Sequence, residues 1–172
     1  MPTAGAAVRV EVFSDPQCGT CRQFYLENLE PLLDDFGDTG EVCVVHYLFP
    51  LRTHAHAREA SLYALAGGAL GAGGRERVLD ALFRSQDRWA DDGDLRSALA
   101  TAFSTAELDL LAERAATPEL AAQLEGEVAV ARGRRVSSTP TVFVVHGEER
   151  QSIPATVQYP LLRRYLAHLV EP

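Results

Sequence analysis

Two cysteines separated by two residues carry the clearest chemistry in this sequence. Cys18-Gly19-Thr20-Cys21 follows an apolar, strand-like run and precedes a helix-like run. Thiols at this spacing can close a small disulfide ring, and free N–H groups and the dipole of a helix N-terminus favour a thiolate. The motif therefore predicts thiol–disulfide exchange, with Cys18 as the nucleophile and Cys21, one turn into the helix, as the buried resolving thiol.

The same spacing also occurs as half of a zinc site, which needs about four ligands in all. The other candidate ligands in the sequence are Cys43, His46, His54 and His56. His54 and His56 are two residues apart, so a helix would not place them on one face. Cys43 and His46 are three apart on a predicted strand and point to opposite faces. The pattern favours redox chemistry, and we predict no metal.

The elements around the motif follow from hydrophobic periodicity. A strand is predicted over residues 8–13, where valines alternate with charged residues, and a helix over 18–36 that Pro31 should kink or break. Residues 41–49 are apolar on both faces, which is typical of a central strand covered on both sides. Residues 54–135 contain no convincing strand and predict four or five helices. The chain then predicts strands over 141–146 and 150–153 and a final helix over 156–170.

Composition limits the classes of function. The chain has 172 residues and a net charge of −8, which argues against nucleic acid or an anionic membrane surface as a partner. No segment is long and apolar enough to insert into a membrane, and no signal peptide is visible after Met1. The expected location is therefore cytoplasmic if Met1 is native, and periplasmic if Met1 replaces a removed signal. Cys43, within an apolar run, is expected to pack as a small buried hydrophobe.

With these motifs in place, the chain resembles the DsbA-type thiol–disulfide oxidoreductases over nearly its whole length. The matching segments are Phe13-Ser14-Asp15 before the CxxC, residues 47–51 with the helix start at His54, and Ser138-Thr139-Pro140-Thr141 before the third strand, with Gly147 in the hairpin turn. The resemblance implies an α/β thioredoxin-like fold, β-α-β and then β-β-α. It also implies an all-helical insertion over residues 54–116 between halves formed by 1–53 and 117–172.

The resemblance also implies the parts of the active site. Thr139–Pro140 is expected to be a cis peptide bond beside the two sulfurs, where it would dock an extended substrate together with Gly19 and Thr20. The expected partners are protein or peptide thiols and disulfides and a further redox partner protein. No dissociable organic cofactor is expected.

The sequence departs from the DsbA pattern at two positions near the dithiol. Gly19 and Thr20 carry no charge between the cysteines, so we expect a less stabilised thiolate and a weaker oxidant than the strongest family members. A Cys18 pKa near ~3.5, as in DsbA, would contradict this. Val12 stands where family members often carry a buried acid, and Glu11 should face the other side of the sheet.

Two alternative functions stay open beside the oxidoreductase. One is a thioredoxin-fold binding or chaperone module, or a metal-binding module, in which the CxxC does not cycle. The other is a related isomerase or glutathione-dependent transferase, although those proteins typically act through a single serine or cysteine, unlike the complete Cys18–Cys21 pair.

Overall fold

A four-stranded mixed sheet lies at the centre of this computed structural model, which describes residues 6–37 and 39–170. The strand order is β2-β1-β3-β4. Strand β1 is parallel to β2 and antiparallel to β3, and β3 and β4 form an antiparallel hairpin that turns at Gly147. The strands are β1 Val8–Ser14, β2 Val42–Leu48, β3 Thr141–His146 and β4 Glu149–Ile153.

Strand β1 is buried on both faces, and its alternating side chains divide the core in two. Val10 and Val12 belong to the main apolar core, which also contains both active-site cysteines. Phe13 lies in the smaller core on the opposite face, where its ring stacks on Tyr47 with centroids 4.8 Å apart. The end of β1 therefore lies between the two apolar cores, and the CxxC motif follows shortly after it.

Strand β2 lies at an edge of the sheet in the described part of the chain, so the prediction of a central strand is wrong. Its outer edge is covered by side chains. Arg75 Nη2 donates to the backbone oxygen of His46 at 2.7 Å, and the backbone N–H of Leu48 donates to Glu127 Oε2 at 2.7 Å. Arg75 and Glu127 also pair with each other at 2.7 Å. This covering satisfies backbone groups that an edge strand otherwise exposes.

The helix after the CxxC is interrupted as predicted, and the interruption is a π-helical turn. It consists of α1 Gly19–Phe24, a π-helical segment Tyr25–Leu29 and α2 Glu30–Phe36. Pro31 lies in the first turn of α2. Proline has no N–H to donate to the preceding turn, and the change of helical pitch falls directly before it.

The middle of the chain is helical, with six α-helices and one 3₁₀ turn between residues 57 and 133. The prediction was four or five helices, and the difference comes from α5 and α6, which are about one turn long. Helix α7 begins with the predicted capping box of Ser104 and Glu107. The helices are α3 Ala57–Ala66, the 3₁₀ turn Gly67–Leu70, α4 Gly74–Arg84, α5 Gln86–Trp89, α6 Leu95–Leu99, α7 Thr105–Ala115 and α8 Pro118–Gly133.

The final helix, α9 Tyr159–Val170, begins three residues later than the predicted start at position 156. A turn closed by the N–H of Val157 and the oxygen of Pro154 precedes it. Pro160 then stands in the first turn of the helix, where a proline is tolerated. Within residues 6–37 and 39–170, no helix combines the length and hydrophobicity needed to cross a lipid bilayer.

Candidate active site

Cys18 is the N-cap residue of α1, and Cys21 lies one turn inside that helix. The backbone N–H of Cys18 donates to the oxygen of Asp15 at 3.1 Å, which ties the motif to the end of β1. Relative exposure is 8 % for Cys18 and 2 % for Cys21, while Gly19 and Thr20 between them are exposed. Both cysteines are free thiols.

The two thiols have opposite acidities. A hydrogen bond from Cys21 is the main cause that lowers the pKa of the Cys18 thiol to about 5, with further hydrogen bonds from Thr139 and from the backbone of Cys21 and Thr20 acting against burial. Burial is the main cause that raises the pKa of Cys21, and its hydrogen bond to Cys18 raises it further. At neutral pH the pair therefore holds one thiolate and one thiol, with the negative charge on Cys18.

The Thr139–Pro140 peptide bond is cis and lies beside this thiolate, in the geometry expected from the sequence. Cys18 Sγ lies 3.6 Å from the backbone oxygen of Thr139. The Thr139 hydroxyl is buried without a hydrogen-bond partner among the described residues, and the interaction of this side chain with the two sulfurs lowers the pKa of both thiols. The structure thus brings Cys18, Cys21 and Thr139–Pro140 together from two distant parts of the chain.

The carboxylate on β1 faces away from the dithiol, as the sequence predicts. Val12 packs in the core with the cysteines. Glu11 is fully buried and pairs with Arg9 at 3.0 Å and with Arg134 at 2.8 Å. Glu11 therefore serves the opposite face of the sheet and does not reach the sulfurs.

Asp15 and His54 form a hydrogen-bonded pair beside the active-site loop, and sequence reasoning did not assign this role to either. Nδ1 of His54 lies 2.7 Å from Oδ2 of the fully buried Asp15. The backbone N–H of Asp15 points at Cys21 Sγ, 3.4 Å away. The family resemblance marked the segment that contains Asp15 and the helix start at His54, but not their contact, because the two residues lie 39 positions apart in the chain.

Two glutamines connect the helical region to the active-site loop, and neither was singled out from the sequence. Gln86 of α5 is buried, and its Nε2 donates to the backbone oxygens of Pro16 at 2.7 Å and Cys18 at 3.2 Å. Gln17 in the loop donates to the oxygen of Ala90 at 2.6 Å and accepts from the N–H of His56 at 2.7 Å. These contacts join segments between 39 and 73 residues apart, which no local pattern reveals.

The candidate metal ligands are not assembled into a site. Within the described ranges no group of three or more histidine, cysteine or acidic side chains could hold a metal ion. Cys43 is buried on β2, as predicted. His46 hydrogen-bonds to the Ser14 hydroxyl, and burial, aided by the charge of Arg75, lowers the pKa of His46 to about 3.

A groove of about 400 Å³ opens beside α1, next to the exposed residue Thr20. Asn28 lines it while being 97 % buried, and its Oδ1 has no hydrogen-bond partner in the described part of the chain. The remaining lining is mostly polar and comes from α1, the π-helical segment, the loop before α9 and the first turn of α9: Gln23, Phe24, Glu27 and residues 155–160. The groove therefore offers one unsatisfied polar atom, Asn28 Oδ1, in a site that Thr20 of the CxxC motif also lines.

With this geometry described, comparison with known proteins identifies the family. The family model described as Thioredoxin matches residues 3–156. The chain belongs to the Thioredoxin family. Comparison of this Thioredoxin-family chain with curated protein sequences gives no match.

Solved structures with the same fold include several DsbA-type proteins. α-DsbA1 of Wolbachia pipientis superposes with a TM-score of 0.77 at 15 % identity, over 96 % of this chain and 87 % of that chain. Oxidised BdbD of Bacillus subtilis has a TM-score of 0.72 at 20 % identity, over 98 % and 90 % of the two chains. A thioredoxin-like oxidoreductase of Silicibacter pomeroyi has a TM-score of 0.71 at 23 % identity, over 98 % and 89 %.

These similarities confirm the fold class predicted from the sequence. This member of the Thioredoxin family has the thioredoxin-like α/β fold of DsbA-type proteins. Its CxxC is at the start of the first helix after β1, and its cis-proline precedes β3.

Proposed function

We propose that this protein is a protein disulfide oxidoreductase that exchanges a disulfide with protein or peptide thiols through Cys18 and Cys21. The observation that carries the proposal is the separation of the two acidities. The pKa of Cys18 is lowered to about 5 while burial raises the pKa of Cys21. A thiolate that is stable at neutral pH serves both as a nucleophile and as a leaving group in disulfide exchange.

In the oxidising direction the disulfide form of the protein transfers its disulfide to a substrate dithiol. A substrate thiolate attacks Cys18 Sγ, the Cys18–Cys21 bond breaks, and Cys21 leaves with the electron pair and takes up a proton. A second substrate thiolate then attacks the sulfur of the first, so that the substrate disulfide forms and the Cys18 thiolate leaves. Two electrons pass to the protein. The reducing direction reverses these steps, with Cys21 attacking Cys18 to release the substrate.

Docking of the substrate is assigned to the surface around the dithiol. Pro140 has no N–H, and the backbone of Thr139 beside it is suited to pair with an extended peptide. Gly19 and Thr20 are exposed on the other side of Cys18. The polar groove next to Thr20 would receive side chains of the same substrate.

Continued turnover needs a second redox protein. Each exchange leaves the Cys18–Cys21 pair in the opposite oxidation state, so this partner must return the pair to its starting state. No organic cofactor is required for these steps. The direction of exchange decides the compartment: a disulfide donor acts in an oxidising compartment such as the periplasm, and a reductase in the reducing cytoplasm.

Trapping the mixed disulfide tests the proposal. Reduced Cys21→Ser should retain the Cys18 nucleophile and accumulate a covalent adduct with an oxidised model peptide, whereas Cys18→Ser should form none. Cys43→Ser is the matched control and should exchange at the unmodified rate, since Cys43 is buried on β2. If neither the unmodified chain nor Cys21→Ser reacts with the peptide, the binding-module alternative replaces the oxidoreductase.

A further inference from the structure

The buried carboxylate of Asp15 is surrounded by hydrogen-bond donors. Oδ1 accepts from the backbone N–H of Gln17 at 2.8 Å, and Oδ2 accepts from the backbone N–H of Leu51 at 2.8 Å and from His54 Nδ1 at 2.7 Å. An ionised carboxylate only accepts, so the contact with His54 uses the Nδ1–H form of the imidazole. Every oxygen of this side chain is therefore held in place by the chain around it.

The backbone of the same residue touches both active-site cysteines. The oxygen of Asp15 accepts from the N–H of Cys18 at 3.1 Å, and the N–H of Asp15 donates to Cys21 Sγ at 3.4 Å. Because side chain and backbone belong to one residue, fixing the carboxylate fixes the direction in which this N–H points.

That N–H matters because Cys21 is difficult to ionise. Burial raises the pKa of Cys21, and the backbone hydrogen bond from Asp15 is the largest contribution that lowers it. A hydrogen bond to a charged group is stronger than one to a neutral group, so the Asp15 N–H stabilises the thiolate more than the thiol.

We propose that Asp15 and His54 are positioning residues for Cys21. The pair holds the Asp15 N–H against Cys21 Sγ, and the N–H stabilises the Cys21 thiolate when that sulfur reacts. The inference rests on the proposed function, because it concerns the step in which Cys21 attacks Cys18. In that step the Cys21 thiolate, having lost its proton to water, forms the Cys18–Cys21 bond. The bond from Cys18 to the substrate sulfur breaks, and the substrate leaves as a thiolate with the electron pair.

The chemistry of the donors predicts which substitutions act. In Asp15→Asn, an NH₂ group replaces one of the two accepting oxygens and faces at least one of the groups that now donate to Asp15. Because two donors cannot form a hydrogen bond with each other, Asp15→Asn should loosen the loop. His54→Leu removes one donor. His54→Asn can return it, because its Nδ2 occupies a position close to that of the imidazole Nδ1.

Ellman's reagent separates the two cysteines in a single experiment. The reduced full chain carrying Cys43→Ser has two thiols. Attack by Cys18 releases the first thionitrobenzoate, and attack by Cys21 on the resulting mixed disulfide releases the second. We expect Asp15→Asn and His54→Leu to slow the second release roughly tenfold, the loss that corresponds to one hydrogen bond to a charged group. The first release should stay within twofold, and His54→Asn should restore the second.

Glu11→Gln is the matched control, because Glu11, like Asp15, is a fully buried carboxylate held by a partner side chain, but it lies on β1 and faces the other side of the sheet. It should change neither release rate. If Asp15→Asn does not fold, the rates of the second release in His54→Leu and His54→Asn test the positioning role on their own. Unchanged second release in His54→Leu, or equal slowing of both releases, overturns the positioning role. Absence of a second release in the unmodified dithiol overturns the proposed function itself.

Discussion

The chemistry of this site depends on two identical side chains in different surroundings. Both lie in the main apolar core, but Cys18 is the N-cap of a helix and accepts several hydrogen bonds, whereas Cys21 is more deeply buried. The same thiol group therefore has a lowered pKa at one position and a raised pKa at the other. That the uncharged Gly19-Thr20 pair gives a less stabilised thiolate than that of DsbA stays a prediction, which a measured Cys18 pKa near ~3.5 would contradict.

Replacing the Thr139 hydroxyl tests how this pKa is set. Thr139→Val keeps the shape of the side chain and removes the donor, so the pKa of Cys18 should rise by roughly one unit, which corresponds to about 1.4 kcal/mol. Thiolate absorbance at 240 nm followed against pH measures the change. Thr141→Val is the control, since the Thr141 hydroxyl donates to the oxygen of Ser138 and not to the sulfurs. An unchanged Cys18 pKa in Thr139→Val would show that the hydroxyl does not act on the thiolate.

At the scale of single residues, the sequence predicted those parts of the site that stand in short motifs. Cys18 and Cys21 share one motif, and Thr139–Pro140 precedes a clearly apolar strand. His54 and Gln86 could not be assigned, because their partners in the active-site loop are 39 and about 70 residues away. Contacts of that kind come from tertiary packing and leave no local pattern.

Among the helices of the middle region, the short helix α5 contacts the backbone of the active-site loop. Gln86 of α5 donates hydrogen bonds to the backbone oxygens of Pro16 and Cys18. In the other direction, Gln17 of the loop donates to the backbone oxygen of Ala90, directly after α5. We propose that the predicted helical insertion, residues 54–116, serves as the structural support of the active-site loop.

Gln86→Leu tests this support. The substitution removes the Gln86 donor from the Pro16 and Cys18 backbone oxygens at a buried position. Because both of these buried hydrogen bonds are then lost, the free energy of unfolding should fall by about 1–3 kcal/mol. Urea unfolding of the reduced protein measures the loss. Gln23→Leu on the exposed face of α1 is the comparison and should change stability by less than about 0.5 kcal/mol. Equal effects of the two substitutions would contradict the supporting role of α5.

The order of the helices and strands along the chain could be predicted from the sequence, but the position of each strand within the sheet could not. The apolar run of β2 correctly predicted burial but suggested a central strand. The side-chain pattern shows whether the two faces of a strand are covered, and it does not show whether another strand pairs with each of its edges. The edge is closed by Arg75 and Glu127, which belong to helices far along the chain. Likewise Pro31 predicted an interrupted helix, while the π-helical form of the interruption depends on packing.

For the whole molecule, the unusual acidity of Cys18 makes the stability of the reduced protein depend on pH. The pKa of this thiol is lowered from 9.0 to about 5 by folding. Between these values the unfolded chain binds a proton at Cys18 that the folded chain does not, so the stability of the reduced form rises with pH. The contribution is complete above pH 9 and is lost as the pH falls to about 5.

The comparison of Cys18→Ser with the unmodified chain isolates this contribution. The difference in free energy of unfolding between the two reduced proteins should grow from pH 5 to pH 8.5, by at most about 1.4 kcal/mol per pH unit. Urea unfolding at a series of pH values under reducing conditions measures it. Other titrating groups, such as the half-buried His46, affect both proteins alike. A difference that is flat or declines with pH would contradict the lowered pKa of Cys18.

Equilibration of the Cys43→Ser protein with glutathione tests the central claim most directly, because it asks whether Cys18 and Cys21 cycle. We predict one reversible two-electron transition, with loss of the Cys18 thiolate absorbance on oxidation and a potential more negative than the ~−120 mV of DsbA. A value approaching ~−270 mV would assign the protein to the reducing direction. If no reversible Cys18–Cys21 disulfide forms at any glutathione ratio, the protein is not a disulfide oxidoreductase.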